Sequence, residues 1–167
     1  MNRGWRLFTS LIACAALIGC ETNAVPISYY NVPQETPDAP NAKIGGTKTF
    51  VLLGPDTRTY AGAIDGKVIR REREADYDQS VPISPGVHAL SIDYRDGSWH
   101  ASVPIRLDAR PGATYVVKAE RVNQISTTVK VTLWVEDAGD GTLVADKTVV
   151  PVIPSGGTTF MFLPVKR

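Results

Sequence analysis

Four stretches of the chain alternate apolar and polar residues with a period of two. In Val87–Arg95, His88, Leu90, Ile92 and Tyr94 alternate with Ala89, Ser91, Asp93 and Arg95. Val103, Ile105 and Leu107 alternate with Pro104, Arg106 and Asp108, and Tyr115, Val117 and Ala119 with Val116, Lys118 and Glu120. Val129, Val131, Leu133 and Val135 alternate with Lys130, Thr132, Trp134 and Glu136. Successive side chains of an extended strand point to opposite faces, so this period predicts strands buried on one side. It also predicts that Trp134 faces away from the core that Leu133 enters. Such a tryptophan is either covered by another part of the protein or left in an exposed patch suited to binding.

The runs are separated by Asp65-Gly66, Pro85-Gly86, Asp96-Gly97, Pro111-Gly112, Asp140-Gly141 and Gly156-Gly157. Glycine supplies positive φ and proline presets the first turn position, so these are turn chemistries. No amphipathic helical period stands between them. The charged segment Ile69–Gln79 is the one place where a short helix could stand, but it lacks an apolar stripe and is expected to be a loop or exposed hairpin. Seven to nine strands, recurring every 10 to 15 residues or so, predict an all-β, antiparallel two-sheet sandwich of immunoglobulin-like or transthyretin-like shape, with a small β-barrel as the alternative.

The N-terminus is of another kind. Arg3 and Arg6 precede an apolar run from Leu7 to Leu17, which is too short to span a hydrocarbon core of about 30 Å and has the layout of a secretory signal. Leu17-Ile18-Gly19-Cys20 then resembles the lipobox of bacterial lipoprotein precursors. The resemblance implies cleavage between Gly19 and Cys20, diacylglycerol on the Cys20 thiol and an acyl chain, such as palmitate, on the new amino terminus. Several chains hold a protein on a bilayer, at about 0.8 kcal/mol per buried methylene. Glu21 stands where the family's sorting rule uses aspartate to retain a lipoprotein at the inner membrane. The implied address is therefore the outer membrane, facing the periplasm. Prolines at 26, 33, 37 and 40 break every period over Glu21–Ala42, which reads as a tether reaching roughly 25 Å as a flexible coil. The expected layout is a signal peptide over 1–19, a lipidated cysteine and tether over 20–42, and one β-sandwich over 43–167.

Within that domain, Ile64-Asp65-Gly66-Lys67 followed by Pro85-Gly86-Val87-His88-Ala89-Leu90-Ser91-Ile92 resembles the layout of PEGA-type and similar small sandwich domains of bacterial envelope proteins. Pro111–Val117 and Trp134–Asp137 with Gly141 continue in a way similar to small periplasmic lipoproteins. The likeness implies a fold and an envelope setting, and carries no catalytic residue.

Charge narrows the partners. The chain has 18 basic and 17 acidic residues; losing Arg3 and Arg6 with the signal leaves 16 against 17. A nearly neutral domain has no general attraction for nucleic acid. Cys14 lies in the signal and Cys20 is the lipid site, so the mature domain has no thiol for a disulfide, a metal or a nucleophile. His88 and His100 could approach across a hairpin, but no third ligand has a convincing spacing for zinc. Asp137, Asp140 and Asp146 crowd a loop without the alternating oxygens of a calcium site. No nucleophile elbow or phosphate-binding glycine loop is present. No metal or cofactor is therefore expected. Lys67, Arg70, Arg71 and Arg73, among Glu72, Glu74, Asp76 and Asp78, read as a solvated face with a possible contact role at Arg70, Arg71 and Arg73. The expectation is a non-enzymatic, membrane-tethered binding or assembly module whose partner is an envelope protein or a polysaccharide such as peptidoglycan. The alternatives are a glycan or peptide hydrolase with carboxylates assembled by folding, and a structural subunit of an envelope complex.

Overall fold

The computed structural model describes residues 27–50, 52, 56–71, 76–122 and 128–155. The signal peptide, Gly19, Cys20, Arg73 and the Gly156-Gly157 turn lie outside them. Eleven strands occur among the described residues: β1 (Ala42–Gly45), β2 (Thr47–Thr49), β3 (Thr57–Ile64), β4 (Lys67–Val68), β5 (Val81–Ile83), β6 (Gly86–Asp96), β7 (Trp99–Ala109), β8 (Thr114–Val122), β9 (Lys130–Asp137), β10 (Leu143–Pro151) and β11 (Ile153–Pro154). They form two sheets, ordered β10-β9-β8-β1-β5 and β11-β7-β6-β3-β2, with β4 paired to β3. The sheets stay separate and pack face to face, so the molecule is a sandwich and not the barrel alternative.

The alternation decides which faces meet. One sheet contributes Ile64, Leu90, Ile92, Tyr94, Val103, Ile105 and Leu107 to the core, and the other Ile44, Ile83, Tyr115, Val117, Val131, Leu133 and Val135. The expected inward sets of β6, β7 and β9 are all buried, apart from His88 and Val129 at the start of the first and last runs. At about 25 cal/mol per Å² of apolar surface, this shared core supplies the main stabilising term. β6 and β7 form the longest hairpin, in unbroken register from Gly86↔Ala109 to Asp96↔Trp99. At its tip only Gly97 takes a positive φ, 58°, which is the pattern of a type II′ turn. Asp65 and Gly66, both at positive φ, make the type I′ turn between β3 and β4. Tyr115 closes the corner before β8 as its hydroxyl accepts the Arg110 amide at 2.9 Å, an arrangement used widely in sandwiches.

Two features depart from expectation. β1 pairs parallel with β8, Ile44 opposite Tyr115, although every other strand pair is antiparallel. The second half of the expected tether is also packed onto the domain. Val68 donates to the Ser28 carbonyl and accepts from the Tyr30 amide, so residues 28–30 lie alongside β4. The Tyr30 hydroxyl donates to the Pro82 carbonyl at 3.0 Å, and Asn41 Nδ2 donates to that of Pro33 at 3.0 Å. Tyr29-Tyr30, the main apolar interruption among the prolines, makes the backbone and hydroxyl bonds that dock the segment.

Candidate functional site: a tyrosine and arginine cleft around Asp93

The outer face of the β11-β7-β6-β3-β2 sheet carries a polar cluster. Tyr60 of β3 lies opposite Asp93 of β6, and Asp93 opposite Ser102 of β7, so the three side chains share that face. Ser91 and Ser102, whose hydroxyl oxygens are 3.1 Å apart, both hydrogen-bond the Asp93 carboxylate. A β-bulge between Ala61 and Ala63 sets Gly62 beneath it. A Cβ at Gly62 would stand 2.0 Å from Asp93 Oδ2, so only glycine leaves the carboxylate its place. Burial raises the Asp93 carboxyl above the usual aspartate range, against the bonds from the serines. The carboxylate costs stability when ionised.

The loop before β5 covers one side of this cluster. Its Tyr77 ring lies 4.5 Å from that of Tyr60, tilted by 52°. The Arg71 guanidinium stands 5.3 Å from the Tyr60 ring and 5.7 Å from that of Tyr77, within the reach of cation–π attraction. Arg71 Nη1 donates to the Asp76 carbonyl and Nη2 to the Ala61 carbonyl, the latter at 3.0 Å, while its buried Nε has no partner among the described residues. Burial lowers the proton affinity of the Arg71 guanidinium and, with the Asp93 charge next in weight, pushes the Tyr60 hydroxyl up to about 12. Gly46 lets the loop approach: a Cβ there would meet the Thr59 and Tyr77 carbonyl oxygens at 2.5 Å. Arg71 is therefore folded inward, whereas its charge pattern had placed it on a solvated face. Arg70 remains at the rim, 5.8 Å from the ring of Tyr29, which is half exposed. Tyr29, Tyr60, Gly62, Val68, Ile69, Arg70, Arg71, Tyr77 and Asp93 together line an open cleft of about 340 Å³. That is the lower end of the size range of small-molecule sites, roughly 300–1,000 Å³.

Trp134 is not the exposed contact considered above. It points away from the core but is only 8% exposed. The cover comes from its own sheet: Lys147 Nζ sits 4.4 Å above the ring, and the indole N–H donates to Glu136 at 2.7 Å. Cover was one of the two outcomes expected for an outward tryptophan; its source is a neighbouring lysine stem, which can bury an aromatic while its head stays wet.

The two histidines are not brought together. His88 stands opposite Leu107 and His100 opposite Arg95, seven residues further along the hairpin, or roughly 23 Å. His100 Nδ1 meets the Ser155 hydroxyl at 3.3 Å. His88 has a more suggestive setting, since its Nδ1 lies 2.7 Å from Asp65 Oδ2 and its Nε2 3.3 Å from Ser84 Oγ. This is the order of a nucleophilic triad, which the sequence spacing concealed. Nε2 has a nearer partner in the Ser84 carbonyl at 2.8 Å, however, and that oxygen accepts the N–H a general base must not carry. Asp65 Oδ1 meanwhile accepts the Ala89 amide at 2.9 Å. The group braces the β3–β4 turn against the start of β6.

The aspartates of the β9–β10 turn are used locally: Asp137 accepts from Gly139 and pairs with Arg110, and Asp140 accepts the Thr142 amide and hydroxyl. Among the described residues no three His, Cys, Asp or Glu side chains are grouped to hold a metal. No family model, curated protein or solved structure matches the chain significantly. Asp93, Tyr60 and Tyr77 escaped the sequence reading, since each occupies an ordinary polar-phase or loop position. The one available signal was Gly62 inside a strand-like run, which marks a bulge or a close approach.

Proposed function

We propose that the chain is a lipid-anchored protein of the bacterial envelope whose sandwich is a binding module without chemistry of its own, taking a protein or glycan partner in the Asp93 cleft. The observation that carries this reading is the convergence of a partly buried carboxylate, tyrosines and arginines on an open concavity. A group that costs stability, retained at a cleft, marks a place where fold consistency yields to another demand. The anchor rests on the lipobox-like Leu17–Cys20 order, and Glu21 favours the outer membrane facing the periplasm.

The sheet edges argue for the cleft over strand addition as the mode of capture. β10 is broken by two register shifts and ends at Pro151, and β5 has three residues including Pro82. Such edges pair poorly with an incoming strand. The test joins both parts of the proposal. Metabolic labelling with an alkyne fatty acid should mark the wild-type protein and not Cys20→Ser. Cross-linking in intact cells should trap a partner that Tyr29→Ala with Asp93→Asn loses and Trp134→Ala keeps. Trapping that ignores the cleft substitutions would overturn the assignment of the site.

A further inference from the structure

The cleft's chemistry narrows the partner. We infer that it takes a saccharide, one or two pyranose rings of a glycan, in place of a peptide or a lipid chain. The inference rests on the binding-module reading and deepens it.

A sugar ring has an apolar face of C–H groups and an edge of hydroxyls, so a complementary site needs aromatic surface beside fixed acceptors and donors. Tyr29 supplies the surface: half of it is exposed at the rim, and Arg70 stands against its ring. Asp93 supplies the acceptor. Its carboxylate is fixed from behind by Ser91 and Ser102 and from below by the space that Gly62 leaves, and it faces the cleft. A carboxylate held in this way can accept two vicinal hydroxyls, at no cost in reorganisation. Arg70 at the rim supplies donors, and the Arg71 guanidinium lines the cleft beside it. The Tyr60–Arg71–Tyr77 stack locks Arg71 in place, so little side-chain entropy is lost on binding.

The competing occupants fit less well. An acyl chain or apolar side chain would find only Val68 and Ile69 as aliphatic lining and would cover the Asp93 carboxylate without offering it a donor. An extended peptide needs a row of free backbone groups, and Val68 of β4, which lines the cleft, already exchanges both of its bonds with Ser28 and Tyr30.

Calorimetric titration of the full-length protein in detergent tests the inference with three probes: chitotetraose, the disaccharide of N-acetylglucosamine and N-acetylmuramic acid, and an alanine-rich tetrapeptide. At least one sugar should bind and the peptide should not. Asp93→Asn and Tyr29→Ala should each weaken the sugar about tenfold or more, as expected for a charged hydrogen bond or a stacking face. Preference for the muramic acid disaccharide would point to a wall glycan as the source, and preference for chitotetraose to a neutral polysaccharide. Thermal melts of both variants separate loss of binding from loss of fold. Tyr29 is half exposed and Asn matches Asp in shape, so both should stay folded. Peptide binding that the cleft variants abolish would overturn the glycan inference and leave the binding module standing. Sugar binding that the variants leave intact would overturn the site itself.

Discussion

Asp93 lies partly buried in the cleft that we propose as the binding site. Its carboxyl, raised by burial, holds a proton to higher pH in the folded chain than in the unfolded one. The sign follows from linkage: the contribution to stability is fully present below the unfolded value, near 3.9, and is lost as pH rises through the folded value. Asp93→Asn should therefore be more stable than wild type at neutral pH, and the gap should close as the pH falls toward 4. Urea melts at both pH values check this; an equal gap at the two would show that the ionisation of Asp93 is not what costs stability. At the neighbouring sheet, Leu133→Ala should lose about 2–5 kcal/mol and Trp134→Ala about 3 kcal/mol, since both are buried. A loss within about 0.5 kcal/mol at Trp134 would mean that Lys147 does not cover the ring in solution. Leu133 was legible from alternation alone. That Lys147 would cover Trp134 was not, because it reaches the ring from a strand whose register shifts twice, and no sequence period encodes a bulge.

At the scale of elements, alternation and turn glycines made most of the fold readable: strands cover 87–95, 103–107, 115–119 and 130–136, and all five turn pairs among the described residues contain a glycine at positive φ. What stayed hidden is pairing between strands distant in sequence. Nothing in Ala42–Gly45 says that it will lie parallel to β8, because the partner is chosen by the packing of both sheets and not by local pattern. The cleft has the same origin, being built where a bulge in β3 meets a loop some fifteen residues further on. Gly46 and Gly62 are the two points at which that meeting is tight. Gly46→Ala should cost about 1–3 kcal/mol, since the added methyl meets two backbone oxygens that cannot swing away. Gly62→Ala meets a side chain and should instead displace Asp93, so sugar affinity should fall more than stability. Calorimetry and melts on the same sample compare the two, and unchanged affinity would remove Asp93 from the site.

At the scale of the whole molecule, the packed N-terminal segment shortens the tether expected from the prolines. With residues 28–30 beside β4, only seven residues separate Cys20 from the packed segment, about 25 Å at full extension. If Cys20 carries the lipid we propose, the cleft, with Tyr29 on its rim, would open close to that anchor. The same contacts make the segment part of the stability of the domain. A shortened chain beginning at Asn41 loses Tyr30, its bond to Pro82 and its pairing with Val68, and leaves the buried Asn41 side chain without the Pro33 carbonyl. It keeps every buried core residue, since these run from Ala42 to Val152. Circular dichroism should still report an all-β protein, but the melt should show about 2–4 kcal/mol less stability than a chain beginning at Ser28, the sum of a partly buried tyrosine and a few hydrogen bonds. Equal stability of the two chains would mean that the segment is released in solution, which would restore the long tether and free Tyr29 from the rim of the cleft.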